Sequence, residues 1–482
     1  MQNKSKFSED FFRLKPIVIG VRLVIASGLF VGSGLTEVNA NPILNLPDPV
    51  IHGLTITDGS AAHGNATMTI NGNQEIINQT TNKAIIDWNS FNIGPGYSVN
   101  FVQPSATSSA LNNIHDANAS QILGTLTANG QVYLVNNNGF IFGKDSSVDA
   151  NTLVASALNI SDANFNGGII RTFDNNNGAP ALSGGAATDA TISVDAGASI
   201  KAGQSGTVIL AAPNVNNSGA ISADQQGQII LVASKDNVYL QPASKTSPFA
   251  GLLVEVGTGG NVNNNAGANV AVREGNITLA GFAVNQSGRL SATTSVNVNG
   301  SIRLLARENA QNIGTTVPVL DAYQTVRNAG LVNEQDSSVT FGVGSSTSVL
   351  ADANGGTAIN GIAQHQSYVE VSADKIEMQS GSAIVATDGA VNLTAQNTLD
   401  TSILAGTLPG NPGRIDLQQG STIDVSGSTN TILPMSRNVV GVSVQSFNLR
   451  NSPYQRVGVF LPRFSSSSSS FSCRIFARLC ES

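Results

Sequence analysis

The chain has 482 residues, with 49 Gly and only 11% charged and 5% aromatic residues. That is too apolar for disorder driven by charge, and it lacks the Leu, Glu, Lys and Arg density of a helical protein. The formal net charge is −7, and because both ends are basic the body between them is more acidic still, which argues against a nucleic-acid partner.

At the amino end, Lys4, Lys6, Arg13 and Lys15 precede an apolar region from Ile17 to about Val31, interrupted by Arg22. Val38-Asn39-Ala40 follows, with small residues where a signal peptidase wants them. Residues 1–40 are therefore expected to be a secretory signal cleaved after Ala40. A membrane anchor is the competing reading, but Leu23–Val31 falls well short of the ~18 apolar residues that a spanning helix needs.

Short β-rich runs come next. They include Ile85-Ile-Asp-Trp88-Asn-Ser-Phe91-Asn-Ile93-Gly-Pro-Gly96, Val99-Asn-Phe101-Val-Gln-Pro104, Ala110-Leu-Asn-Asn-Ile114 and Ser120-Gln-Ile-Leu-Gly124. Gln131-Val-Tyr-Leu-Val-Asn-Asn-Asn-Gly139-Phe-Ile-Phe-Gly143 reads as strand, turn, strand, because Asn and Gly tolerate the positive φ of a tight turn. Trp88, Phe91 and Phe101 are expected in the packing of the first coils or a cap, since no polar groups converge on them in sequence.

In this order the blocks resemble the amino-terminal secretion domain of the filamentous haemagglutinin family, the exported partner of two-partner secretion systems. The likeness spans roughly residues 50–165. One departure is Asn136-Asn137-Asn138-Gly139, where the family usually has Asn-Pro-Asn-Gly; losing Pro removes a φ restraint and keeps the turn chemistry. The resemblance implies an all-β, right-handed parallel β-helix with an amino-terminal cap and some extra-helical hairpins. It implies export through the periplasm to the cell surface or medium, carried across the outer membrane by a β-barrel transporter with periplasmic domains. Asn136, Asn137, Asn138 and Gly139 are then either a structural turn only or also part of the signal that the transporter reads.

From about Thr191 a loose repeat of near 20 residues appears. Ala198-Ser-Ile200-Lys-Ala202 with Gly206-Thr-Val208-Ile-Leu210 returns as Ala220-Ile221-Ser-Ala223 with Gly227-Gln-Ile229-Ile-Leu231. Ile200 maps onto Ile221, Gly206 onto Gly227 and Val208 onto Ile229. The pattern recurs at Gly288–Ala292 with Gly300–Leu304, at Ala383–Ala386 with Ala390–Leu393, and at Arg414–Leu417 with Thr422–Val425. Short strands with period-two alternation bury little alone; stacked coils join their inner faces into one apolar core. About 15 such coils at ~4.8 Å would make a solenoid of roughly 70 Å. Gly251–Gly281 and Asp321–Tyr368 fit this repeat poorly and are expected as extra-helical loops or hairpins, or as coils whose register the sequence does not give. The expected organisation is a signal peptide at 1–40, the secretion domain at 41–285, continuing β-helix at 286–435, and an atypical tail at 436–482. That tail holds a run of six Ser (465–470) and both cysteines, Cys473 and Cys480, and reads as a disordered linker or a frameshifted end.

Enzymatic chemistry finds little support. His52, His63, His115 and His365 are far apart, and Asp195, Asp224, Asp388 and Asp424 stand singly at turns, where they usually bond backbone. Gly139-Phe-Ile-Phe-Gly143-Lys144 has one residue too few between its glycines for a phosphate loop, and Asp145 stands where Ser or Thr should be. Gly257-Thr-Gly-Gly-Asn261 lacks the carboxylate of a calcium-binding repeat. Asn65, Asn78, Asn118, Asn216, Asn276, Asn285 and Asn392 stand in Asn-x-Ser/Thr sequons, most of which chance explains in so Asn-rich a chain. The expectation is a non-enzymatic secreted adhesin with no cofactor and no metal, facing a host or bacterial surface receptor. The alternatives are a β-helix polysaccharide lyase or hydrolase, and the stalk of a contact-dependent toxin.

Overall fold

The computed structural model describes residues 46–49, 55–56, 64–170, 180–243, 251–295, 298–306, 337–352, 365–395, 413–427, 440–443 and 472–475. The chain divides at Pro42 into two units, and every described residue belongs to the second. The expected signal sequence and Ala40 therefore lie outside the described residues.

The second unit is a parallel β-helix. Each coil contributes one short strand to a nine-stranded sheet and two strands to a second, 22-stranded sheet. A representative coil runs through Asn214–Asn217, Ala220–Ala223 and Gln228–Ala233, and the next through Asn261–Asn264, Asn269–Val272 and Asn276–Gly281. Corresponding strands pair in parallel: Ile200 sits beside Ile221 and Val208 beside Ile229, the register the repeat predicts. Alternation aims Ile200, Ile221, Val270 and Leu290 into the interior as one column, each 0% exposed. Each such side chain gains about 1.5–3 kcal/mol gross on burial.

Polar residues also stack inside. Asn217, Asn264 and Gln286 form a fully buried amide ladder, with Asn217 Nδ2 donating to Asn264 Oδ1 (2.8 Å) and Asn264 Nδ2 to Gln286 Oε1 (2.6 Å). Gln286 in turn donates to the Gly288 and Ser346 carbonyls, and the Gly219 N–H donates to Asn217 Oδ1. These bonds meet the requirement that a buried amide be satisfied.

The strands Thr207–Ala212 and Gln228–Ala233 are buried on both faces. Their outward Ile209, Ala211, Ile230 and Val232 pack in a second apolar cluster with Leu182, Val238, Leu240, Leu252, Val254 and Val256. Those last residues sit on a three-stranded antiparallel sheet, Leu182–Ser183, Asn237–Pro242 and Leu252–Val256, laid on the outside of the coils. A short helix, Asp162–Gly167, joins the same cluster through Phe165. These are the expected extra-helical elements, supplemented by a helix.

Four sequence expectations are decided or changed. Gly251–Gly281 is only partly extra-helical, since Asn261–Gly281 is a regular coil. Within Asp321–Tyr368, the described strands Ser338–Phe341 and Ser346–Ala351 are in register with neighbouring coils. Arg414–Leu417 pairs with Lys375–Met378 in the nine-stranded sheet, and Thr422–Asp424 pairs with Ala383–Val385, so that repeat was phased one strand off. The nine-stranded sheet also marks fewer coils among the described residues than the about 15 a 20-residue period implies, because the chain leaves the coils to build its outer cover. In the expected tail, Val440–Ser443 pairs antiparallel with Ser472–Ile475; the rest of it lies outside the described residues.

At the amino end the parallel pattern stops. Ala66–Asn71 pairs antiparallel with Gln74–Gln79 and with Thr55–Ile56, and Asp48–Pro49 pairs antiparallel with Ser90 and Trp88. Antiparallel strands close the open edge that a parallel stack leaves exposed.

Candidate functional site: the Asn136–Gly139 corner

The sequence blocks between Ala84 and Phe142 prove to be one place in space. Lys83–Ser90, Ser109–Ile114 and Thr125–Asn136 lie side by side in parallel register, which puts Trp88 beside Ile114 and Ile114 beside Asn136. Ile86, Asn112 and Leu134 form the neighbouring inward column. Motifs separated by more than twenty residues are thus successive rungs of the same coil face.

Trp88, Phe91 and Phe101 are fully buried, as the packing expectation requires. Trp88 meets Phe91 edge-on at 5.2 Å, and its Nε1–H donates to Asn112 Oδ1 at 2.9 Å. Asn112 Nδ2 donates to the carbonyls of Ala110 and Tyr133. An amide in the middle of the core is tolerable because its oxygen and nitrogen are both used, and it gives the buried indole an acceptor between the apolar Ile86 and Leu134.

At the end of Thr125–Asn136 the chain turns a corner. Gly139–Phe142 leaves the larger sheet and enters the nine-stranded one, parallel to Ser120–Ile122 on one side and Thr191–Val194 on the other. The expected strand–turn–strand is correct locally, but the two strands lie on different faces of the coil and do not form a hairpin. Asn136 is fully buried; its Nδ2 donates to the Asn118 carbonyl (3.0 Å) and Ser120 Oγ (2.9 Å), and its Oδ1 accepts from the Asn138 N–H (2.9 Å). Asn138 Nδ2 donates to the Asp116 carbonyl at 2.8 Å. Asn137 points the other way, donating to the Ala157 carbonyl (2.8 Å) and Asn159 Oδ1 (3.0 Å), while its carbonyl accepts from the Ala187 N–H (2.9 Å). Gly139 has φ 95°, and a Cβ there would lie 2.1 Å from the Thr191 carbonyl oxygen. Both facts demand glycine.

The four residues therefore tie the coil before them, at 116–120, to the segments after them, at 157–159 and 187–191. Sequence reasoning singled out Asn136, Asn137, Asn138 and Gly139 but missed Asn112, whose signal was its place in Ala110-Leu-Asn-Asn-Ile114, two residues before the apolar partner of Trp88. It also missed Gln103, whose Nε2 bonds Gln79 Oε1 and the Ser108 and Gln131 carbonyls at another corner of the first coils. Lys83 was missed as well: its Nζ donates to the carbonyls of Phe165 and Asn166 at the end of the short helix, and lies 5.5 Å from the Phe165 ring centre. Tyr133 stacks edge-on against the same ring, and burial pushes its phenol up to about 12.

His115 pairs with Asp87 at 2.9 Å on the surface, and His365 is exposed; His52 and His63 lie outside the described residues. Among the described residues no three His, Cys, Asp or Glu side chains are grouped to hold a metal.

Residues 54–349 match the model of the TPS secretion domain family. Two relatives, both heme/hemopexin-binding proteins of Haemophilus influenzae, are 42% identical over 108 residues and 44% identical over 84 residues. Those alignments cover 22% and 17% of this chain but only 12% and 9% of the relatives. The crystal structure of the HMW1 secretion domain from Haemophilus influenzae superposes with a TM-score of 0.53 at 24% identity, covering 76% of this chain and 82% of that one, which bears on the fold alone.

Proposed function

The chain belongs to the TPS secretion domain family and is a two-partner secretion exoprotein, routed through the periplasm and outer membrane to the cell surface or medium; on that premise we propose that its amino-terminal coils are the element its outer-membrane transporter handles, and that the chain serves as a surface adhesin. The carrying observation is the corner at Asn136–Gly139, where all three Asn side-chain amides donate within the chain, to Asn118, Ser120, Asp116, Ala157 and Asn159. A transporter that reads the Asn136 and Asn138 amides must do so before the corner closes, while the segment is extended. Strand addition suits such a segment, because backbone bonds supply affinity and side-chain pockets supply choice. Closing each coil on the cell's exterior then withdraws the segment from the transporter and favours outward movement. The heme/hemopexin-binding relatives share too small a fraction of their length for their ligands to be assigned here.

The test is co-expression of the full chain with its cognate transporter, scoring the secreted fraction beside thermal unfolding of the purified protein. Asn136→Ala and Asn138→Ala should lower secretion more than their loss of stability explains, whereas Asn137, where the family usually carries Pro, should be replaceable. Secretion that simply follows stability across these variants would reduce the corner to a folding element. Turnover of acidic polysaccharide by the purified chain would favour the lyase or hydrolase reading.

A further inference from the structure

We propose that Glu75 makes the amino-terminal end of the β-helix a proton-operated latch, firm when its carboxyl is protonated and loosened when it ionises. The strand Gln74–Gln79 turns Glu75, Ile77 and Gln79 inward. Glu75 pairs with Val99, and the same column continues through Leu126, Val148, Ile200 and Ile221. A carboxyl thus occupies the first rung of an otherwise aliphatic column. It is 0% exposed, and neither oxygen has a hydrogen-bond partner. Gln79, two rungs along the same strand, shows what satisfaction looks like here: its amide donates to the Thr81 and Ser109 carbonyls and accepts from Gln103.

A neutral acid survives in such a place far better than a carboxylate, which would have neither water nor a donor. No cation faces it. The neighbouring strands Ala66–Asn71 and Ser98–Val102 carry no ionisable side chain, and its own strand carries no other. The charged group that acts on it is Asp48, on the two-residue strand that adds to the edge at Trp88 and Ser90. Burial first, and Asp48 second, push the Glu75 carboxyl up to about 8 from an ordinary 4.5. The folded value lies above the unfolded one, so the stabilisation is full below about pH 4.5 and is lost as pH rises through about 8. The elements that would loosen are those packed at this end: Leu46 against the core, the Asp48–Pro49 strand, and the Ala66–Asn71 hairpin arm.

Trp88 is the only tryptophan of the chain and the register partner of Pro49, which makes it a built-in reporter. The experiment follows Trp88 emission, and amide exchange at Ile76–Gln79 and Val99–Phe101 divided by the intrinsic exchange rate at each pH, from pH 5 to 9 in the full chain, in Glu75→Gln and in Asp48→Asn. Opening of this end in the wild type should rise by up to about tenfold per pH unit between roughly pH 5 and 8. Glu75→Gln should be flat across that range, and Asp48→Asn should move the midpoint to lower pH. If Glu75→Gln does not fold, Glu75→Met provides the same uncharged comparison. A flat wild type, or unchanged pH dependence in Glu75→Gln, overturns the proposal. So does restoration of the closed signal at pH 8 by millimolar calcium, which would make Glu75 and Asp48 a cation site.

Discussion

The first coils, residues 74–156, and the middle coils, 191–306, have the same three-strand course but are filled differently. The first are built from individuals: Trp88, Phe91, Phe101, Phe140 and Phe142 in the core, with Asn112, Gln103 and Asn136 each bonding particular atoms of a neighbouring coil. The middle is built from a repeating set, Ile, Val and Leu in columns with an amide ladder beside them. A repeated coil can stack on any neighbour of similar shape, so many residues serve equally well. A coil closed by one indole and one specific amide admits few replacements, which is why the recognisable blocks lie there.

The contrast predicts an ordered series of effects. Gly139→Val should be the most damaging, costing about 2–5 kcal/mol through forced positive φ and collision with the Thr191 carbonyl. Its counterpart Gly197, also at φ 97° but with only the Lys144 side chain within 3.3 Å, should accept Asn at about 1 kcal/mol or less. Thermal unfolding of both would collapse the comparison if they proved equally severe. Asn112→Ala comes next, at about 2–3 kcal/mol, because it strands the buried Trp88 N–H and two contacts at once; a red-shifted Trp88 emission should accompany the loss. In the middle coils, Ile221→Val should cost only about 1 kcal/mol in a urea melt. Asn137→Pro should be smallest, about 1 kcal/mol or less. It forfeits two side-chain bonds but fixes φ where the family usually carries Pro, and secretion should persist.

The sequence announced the repeat well where alternation and spacing agreed, as with Ile200 over Ile221. It misled at Arg414–Leu417, because an alternating four-residue strand looks the same on any face of a coil, and only the neighbours fix its phase. The outer sheet was less legible still, although a clue was present. Val208-Ile-Leu-Ala-Ala212 and Ile229-Ile-Leu-Val-Ala233 are continuous apolar runs, the mark of strands covered on both sides. An unbroken run hides the alternation that marks an inner face, so its outward cover does not stand out from an ordinary strand. At the corner, the Asn and Gly chemistry was readable as a turn; the identity of the atoms it bonds was not, since Asp116, Ala157 and Thr191 come together only once coils stack. Glu75 gave no signal at all, since one acid in a polar strand is unremarkable until the strand's inner face is known.

The outer antiparallel sheet carries a consequence for timing. Ile209 and Ile230 face outward, yet part of their cover, Leu252–Val256, follows more than twenty residues after Ile230 and more than forty after Ile209. A chain that emerges amino end first would therefore present bare aliphatic strands, already hydrogen-bonded and flat, to whatever lies outside. Such surfaces invite self-association. The interval is short because Asn237–Pro242 and Leu252–Val256 form a local antiparallel pair, and hairpins of this kind close in about 1–10 microseconds. A pause in export between Ala233 and Val256 would lengthen that interval, so the pace of delivery across this stretch, as much as the final stability, sets how much of the protein escapes aggregation.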